Sequence, residues 1–229
     1  MSADARQSSA PRPSSVARPS SVARLAILAR VRQAQIRAYL PESPHGLPAR
    51  LAYPETNPAA RRARFLEELK LLGVEAFVEE DEAGVCARVK NLIAGKAILS
   101  WDPDQLPYGA GETLRGETVA FARDTRESQA QADIGLTGCE AALAETGSLA
   151  MVSGPGRPRT ASLLPLTHIA LIRQADLLQG MGEFFERYRQ SPILPYLVFI
   201  TGPSRTADIE LSLTLGVHGP GKLILILGP

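Results

Sequence analysis

Residues 74–101, VEAFVEEDEAGVCARVKNLIAGKAILSW, decide the fold class. Residues 74–79 read as a short apolar strand and residues 96–101 as another. Between them, residues 83–94 have helical periodicity, with Val85, Cys86, Val89, Leu92 and Ile93 on the inward side and Gly95 at the end. Two strands joined by a helix belong to a parallel or mixed sheet covered on both faces. The alternation continues downstream, where residues 117–122, 148–153, 167–173, 196–201 and 222–227 read as strands. Leu178, Met181, Phe184, Phe185 and Tyr188 mark an amphipathic helix within residues 175–189. The expected class is therefore α/β, built on a mixed, mainly parallel sheet.

Upstream, Asn57 followed by Pro58 is a helix start, and Phe65, Leu66, Leu69 and Leu72 repeat at helical spacing until Gly73 ends the run. Arg61, Arg62 and Arg64 fall in the first turns, where they meet either an anionic partner or only solvent. Before that helix, Pro41, Pro44, Pro48, Pro54 and Pro58 punctuate an irregular crossing, a lid or a strap over the core. Leu25, Leu28 and Val31 lie on one face of a helix expected over residues 24–40. In residues 1–23 the hexapeptide RPSSVA occurs twice in succession, among Ser, Pro, Arg and Ala with almost nothing to bury. That composition predicts a disordered basic tail. The expected organisation is thus a tail over 1–23, a helix and Pro-rich crossing over 24–58, and an α/β domain over 59–229.

Composition excludes several function classes. The chain of 229 residues is 45% hydrophobic and 21% charged, an ordinary globular balance. Its formal charge of +1 divides into +3 over residues 1–24 and −2 over the rest, so the body offers no basic stripe for nucleic acid. No run of about 18 apolar residues is present to span a membrane, and the opening MSADARQSSAPRPSS lacks the apolar segment of a secretory signal. Cys86 and Cys139 stand apart, with no CxxC, so neither an iron-sulphur centre nor a structural zinc is expected in this chain, and reduced cytoplasmic thiols are the simplest account. His45, His168 and His218 are too scattered to argue a metal site.

Three stretches could carry chemistry. In residues 196–220, YLVFITGPSRTADIELSLTLGVHGP, a strand turns through Gly202 into a segment headed by Ser204, Arg205, Thr206 and Asp208, with a helix expected from Ala207 to Leu213. Free backbone N–H groups at such a junction outline an anion site, although many α/β proteins turn a corner the same way. Arg205 offers a cationic fork, and the glycines around His218, Gly219 among them, let backbone approach a ligand. In residues 133–148, DIGLTGCEAALAETGS, Glu145 beside Thr146 and Gly147 could serve as nucleophile or base; alternatively Glu140 and Glu145 form the solvent face of a short Ala-rich helix. Cys139 has no basic partner nearby in sequence to activate it. In residues 153–165, Arg157 and Arg159 could grip a phosphate or carboxylate, or merely be solvated. Ligands in open α/β sheets sit beyond the carboxyl ends of strands, which is where TGPSRT and GVHGPG are expected. Neither GxxxxGK[ST] nor GxGxxG occurs, excluding the P-loop and Rossmann fingerprints.

AETGS at 144–148, SLLP at 162–165, THIALI at 167–172, GPSRTADIE at 202–210 and GVHGP at 216–220, in that order, resemble the lactate utilization protein C family, the LUD domain proteins. The resemblance covers about residues 60–229. It implies a three-layer α/β fold akin to the CoA transferase-like superfamily. It also implies a place in a bacterial three-protein system that oxidises L-lactate to pyruvate, with Cys-rich and iron-sulphur partner proteins and no cofactor in this chain. The family motif falls on Glu145, Thr146, Gly147, Ser204, Arg205, Thr206, Asp208, His218 and Gly219, without a catalytic assignment for any of them, so whether the chain is an enzyme stays open. Fold analogy supplies the alternative, a free-standing enzyme or binding protein for a phosphorylated or CoA-type anion, with Glu145 reacting and residues 204–208 cradling the ligand. The common expectation is that Glu145, Arg205 and His218 share one recess.

Overall fold

The computed structural model of the protein describes residues 21–37, 57–189, 196–207, 213–216 and 218–229. The Pro-rich crossing up to residue 56 and nearly all of the expected tail fall outside these residues. Helix α1 (Ser21–Arg37) begins inside the stretch assigned to the tail, and its Leu25, Leu28 and Val31 are exposed.

From Asn57 onward, local chemistry sets the boundaries. The Asn57 side chain accepts the Ala60 N–H at 2.8 Å, Pro58 takes the first helical position, and α2 (Pro58–Leu72) stops where Gly73 turns left-handed at φ 73°. Strand β1 (Glu75–Val78) follows, then α3 (Glu82–Ile93), whose first turn is capped by Asp81 Oδ1 accepting Gly84 N–H at 2.7 Å, then β2 (Ala97–Ser100). Two 3-10 stretches, Pro103–Gln105 and Pro107–Leu114, lead to β3 (Thr118–Ala120), α4 (Arg126–Ala130), β4 (Ile134–Gly138), β5 (Ala141–Leu143) and β6 (Ser148–Val152). A 3-10 turn at Arg159–Ser162 precedes β7 (Thr167–Arg173). Another at Gln174–Asp176 leads into β8 (Leu177–Leu178), α5 (Met181–Arg187), β9 (Leu197–Ile200), β10 (Arg205–Ala207), β11 (Leu213–Leu215) and β12 (Lys222–Gly228).

Six strands form one sheet in the order β1-β12-β7-β4-β2-β3, and every neighbouring pair in it is parallel. Ile169, Ala170, Leu171 and Ile172 of β7 and Leu223 to Leu227 of β12 are all buried, so successive residues pointing to opposite faces are covered alike. That continuous apolar run is what a central parallel strand requires. Helix α3 packs against β12 and α2 against β1. The expected α/β class with a mainly parallel sheet holds. Among the described residues no helix is long and apolar enough to cross a membrane.

Four sequence expectations are corrected. Residues 148–153 and 196–201 are strands, but β6 and β9 pair antiparallel in a second sheet, ordered β8-β5-β6-β9. Residues 133–148 hold the central strand β4 and then β5, where a loop or an Ala-rich helix was expected. IGLTG is weak strand material, and its glycines answer to packing. A Cβ on Gly135 would overlap the Ala161 carbonyl oxygen, and one on Gly138 would lie 3.1 Å from Pro107 Cδ. The helix expected from Ala207 to Leu213 does not hold at its two ends, since Ala207 closes β10 and Leu213 opens β11 and the two strands pair antiparallel, Thr206 opposite Thr214; residues 208–212 lie outside the described ones. Finally, the helix of residues 175–189 is confined to α5, since Gln174–Asp176 forms a 3-10 turn and Leu177–Leu178 a strand.

Candidate functional site

The glycine-rich segments around Ser204 and His218 do build a cavity, at the amino end of the parallel sheet rather than the carboxyl end. Strand β9 stops at Ile200, and Gly202 turns the chain at φ +85°. Ser204 then fixes the two turns to each other, its N–H donating to the Pro220 carbonyl at 2.8 Å and its carbonyl accepting the Gly216 N–H at 2.9 Å. The resulting cavity of about 210 Å³ is lined by Thr201, Gly202, Ser204, His218 and Gly219, and by His168 and Leu223 near the starts of β7 and β12. His218 is exposed. His168 is buried, with Nε2 2.8 Å from Thr137 Oγ1 of β4. Burial pushes its pKa down to about 4, so the imidazole is neutral at physiological pH. The site can therefore offer a neutral imidazole and a serine hydroxyl to a small ligand.

Other expected site residues are placed differently. Glu145 Oε1 accepts the Met181 N–H at 2.8 Å, capping α5 where Gly180 has no side chain to do so, and a Cβ at Gly180 would overlap that carboxylate. Arg205 Nη2 donates to the Leu72 carbonyl at 2.5 Å, closing the carboxyl end of α2, where a cation is favoured. Gly147 sits against the same end, since a Cβ there would lie 2.9 Å from Leu72 Cδ1. Gly202 faces it too, at 3.4 Å from Leu72 Cβ by the same construction. The AETG and SRTA motifs thus meet around Leu72. Neither Glu145 nor Arg205 lines the cavity with His218. Thr146 reaches its rim indirectly: Thr146 Oγ1 and Ser148 Oγ lie 2.7 Å apart, as do Ser148 Oγ and Thr201 Oγ1. The Arg159 guanidinium stacks 4.1 Å above the Tyr196 ring centroid. Thr206 belongs to β10, and Asp208 lies outside the described residues.

A second group of polar residues was not gathered by sequence reasoning. At the carboxyl ends of β2, β4 and β7, Gln105, Glu140, Arg157, Arg173, Asp176, Arg187 and Tyr188 surround a cavity of about 180 Å³. Arg157 pairs with Glu140 at 3.1 Å instead of standing solvated. Cys139 also lines this cavity. Burial, then Asp176 and Glu140, push its thiol pKa well up, so it is no activated nucleophile. The signal that could have found the group is the carboxyl-end rule applied to β4 and β7; β4 reads as a loop in sequence, and β9, whose carboxyl end leads into TGPSRT, belongs to the second sheet.

The chain is 32% identical over 160 residues to the Lactate utilization protein C of Anoxybacillus flavithermus, covering 66% of this chain and 73% of that one. It is 36% identical over 147 residues to the Lactate utilization protein C of Shouchella clausii, covering 60% of this chain and 64% of that one. A crystal structure of a DUF162 family protein from Deinococcus radiodurans matches with a TM-score of 0.61 at 22% identity, over 76% of this chain and 100% of the other, and speaks for the fold. Residues 62–227, which include both cavities and all of the parallel sheet except the last residue of β12, match the LUD domain, and the chain belongs to the LUD domain family.

Proposed function

We propose that this protein serves lactate utilisation as a small-acid-binding component of a system that oxidises L-lactate to pyruvate, with the iron-sulphur chemistry carried by Cys-rich partner proteins. The observation that carries this reading is the match to relatives named Lactate utilization protein C, at 32% and 36% identity. The cavities agree in scale. At about 210 and 180 Å³ both fall below the roughly 300–1,000 Å³ of sites that enclose larger ligands. A CoA-type ligand at residues 204–208 has less support, because Arg205 is directed at Leu72 and Glu145 at Met181.

Deleting the gene from its host and growing the strain on L-lactate as sole carbon source tests the role. Growth on lactate should stop while growth on glucose continues, and the full chain supplied in trans should restore it. Undiminished growth on lactate would refute the assignment.

A further inference from the structure

The charged cavity lies at the opposite end of β7 from the His168 cavity, and none of Glu145, Ser204, Arg205 or His218 lines it. Its charges are arranged in pairs. Tyr188 Oη donates to Glu140 Oε1 at 2.5 Å and Arg157 Nη1 to Glu140 Oε2 at 3.1 Å, while Arg157 Nε donates to Gln105 Oε1 at 2.9 Å. Across the cavity, Arg187 Nη2 donates to Asp176 Oδ1 at 3.3 Å, and Arg173 Nη1 stands 4.0 Å from Asp176 Oδ2.

The wall behind these pairs is closely packed. Trp101 and Pro107 close over Gly138, where a Cβ would be 3.3 Å from the Trp101 ring and 3.1 Å from Pro107. Beside Pro107, Tyr108 is held at φ 63°, a left-handed conformation that a non-glycine residue keeps only where its surroundings impose it. The Tyr108 hydroxyl lies 2.8 Å from the Ile172 carbonyl, and the Arg173 guanidinium lies 5.8 Å from its ring centroid.

We propose that this cavity binds a small 2-hydroxy monocarboxylate, its carboxylate held by Arg173 and Arg187 and its hydroxyl donating to Glu140 or Asp176. This rests on the lactate-utilisation reading above and assigns its site. Three guanidinium groups face two carboxylates, so one further negative charge completes the balance. Each guanidinium carries five N–H donors, and Arg173 and Arg187 each direct one nitrogen at Asp176, which leaves donors for a ligand carboxylate. Ionised Glu140 and Asp176 can only accept, so they favour an O–H donor on the neighbouring carbon over a keto oxygen, and they repel a dianion. At about 180 Å³ the space lies below the roughly 300–1,000 Å³ of sites that enclose larger ligands.

The test is calorimetric titration of the purified full chain with sodium L-lactate, and in parallel with pyruvate, acetate and inorganic phosphate. Lactate should give saturable heat, with the other three at least tenfold weaker. The double variant Arg173→Gln, Arg187→Gln should weaken lactate at least tenfold with its circular dichroism spectrum unchanged. Glu140→Gln, close in shape, should narrow the preference for lactate over pyruvate, and it serves if the double variant does not fold. Phosphate binding as tightly as lactate, unaltered lactate binding in both variants, or no lactate heat would each overturn the proposal. Growth that depends on the gene without lactate binding would sink this site and leave the role; binding without a growth defect would do the reverse.

Discussion

The two ends of β7 carry two kinds of cavity. The one beside His168 is made by contiguous segments rich in Gly, Pro and hydroxyl residues, which are easy to see in sequence. The one beside Arg173 is made by Gln105, Glu140, Arg157, Asp176, Arg187 and Tyr188, which no motif joins and which only the strand order brings together. Much of the recognisable motif is architectural: Gly147, Gly202 and Arg205 all address Leu72 at the end of α2. Concentrated charge, by contrast, gathers at the carboxyl ends of β2, β4 and β7, the end at which open α/β sheets bind ligands.

The largest effect is expected where the 3-10 turn that feeds the first cavity crosses β4. Gly135→Ala puts a methyl group into the Ala161 carbonyl, and because the obstacle is backbone it cannot rotate away. A loss of about 3 kcal/mol or more is expected in urea unfolding. A loss under about 1 kcal/mol would mean that the turn at Arg159–Ser162 can shift, leaving the Ser162 wall of that cavity unfixed.

A somewhat smaller effect concerns His168, whose imidazole burial holds near pKa 4 against 6.5 in the open chain. The folded state refuses a proton that the unfolded chain accepts below about pH 6.5. This contribution is therefore fully present above pH 6.5 and is lost as pH falls through the window down to about 4. Between pH 7 and pH 5 the loss should be about 2 kcal/mol. His168→Gln should remove that part of the slope in urea melts at the two pH values. An unchanged slope would place the acid sensitivity elsewhere than at this imidazole.

The fold was largely legible in the sequence because its boundaries are set by short-range chemistry. Asn57, Pro58 and Gly73 bracket α2 as their residue types dictate, and the apolar runs of β7 and β12 can only be buried strands. What failed was decided at long range. Strand β4 is interrupted by glycines whose purpose is visible only against Ala161, Pro107 and Trp101. Nothing local distinguishes β6 and β9, antiparallel in the second sheet, from strands of the parallel one. The site suffered from the same gap. Gly202, Ser204, His218 and Gly219 gather because they are close in sequence, while Glu145 went to α5 and Arg205 to α2, where unpaired helix ends compete for them.

That competition makes the smallest prediction the sharpest one about the motifs. If Glu145 and Arg205 are caps, removing them costs what a cap is worth. Glu145→Ala leaves the Met181 N–H without its acceptor, for a loss of about 1 kcal/mol. Arg205→Ala should cost less, about 0.5 kcal/mol, because its side chain is exposed and water can take its place at the Leu72 carbonyl. Glu145→Gln keeps an acceptor oxygen and gives up only the charge at the helix start, so it should fall between wild type and alanine. Neither position touches the charged cavity, so lactate titration curves should superimpose on wild type once the small change in Tm is allowed for. An alanine variant that melts like wild type yet abolishes lactate binding would reverse the comparison. The motif would then be chemical, the capping hydrogen bonds incidental, and the carboxyl-end cavity would lose its claim to the ligand.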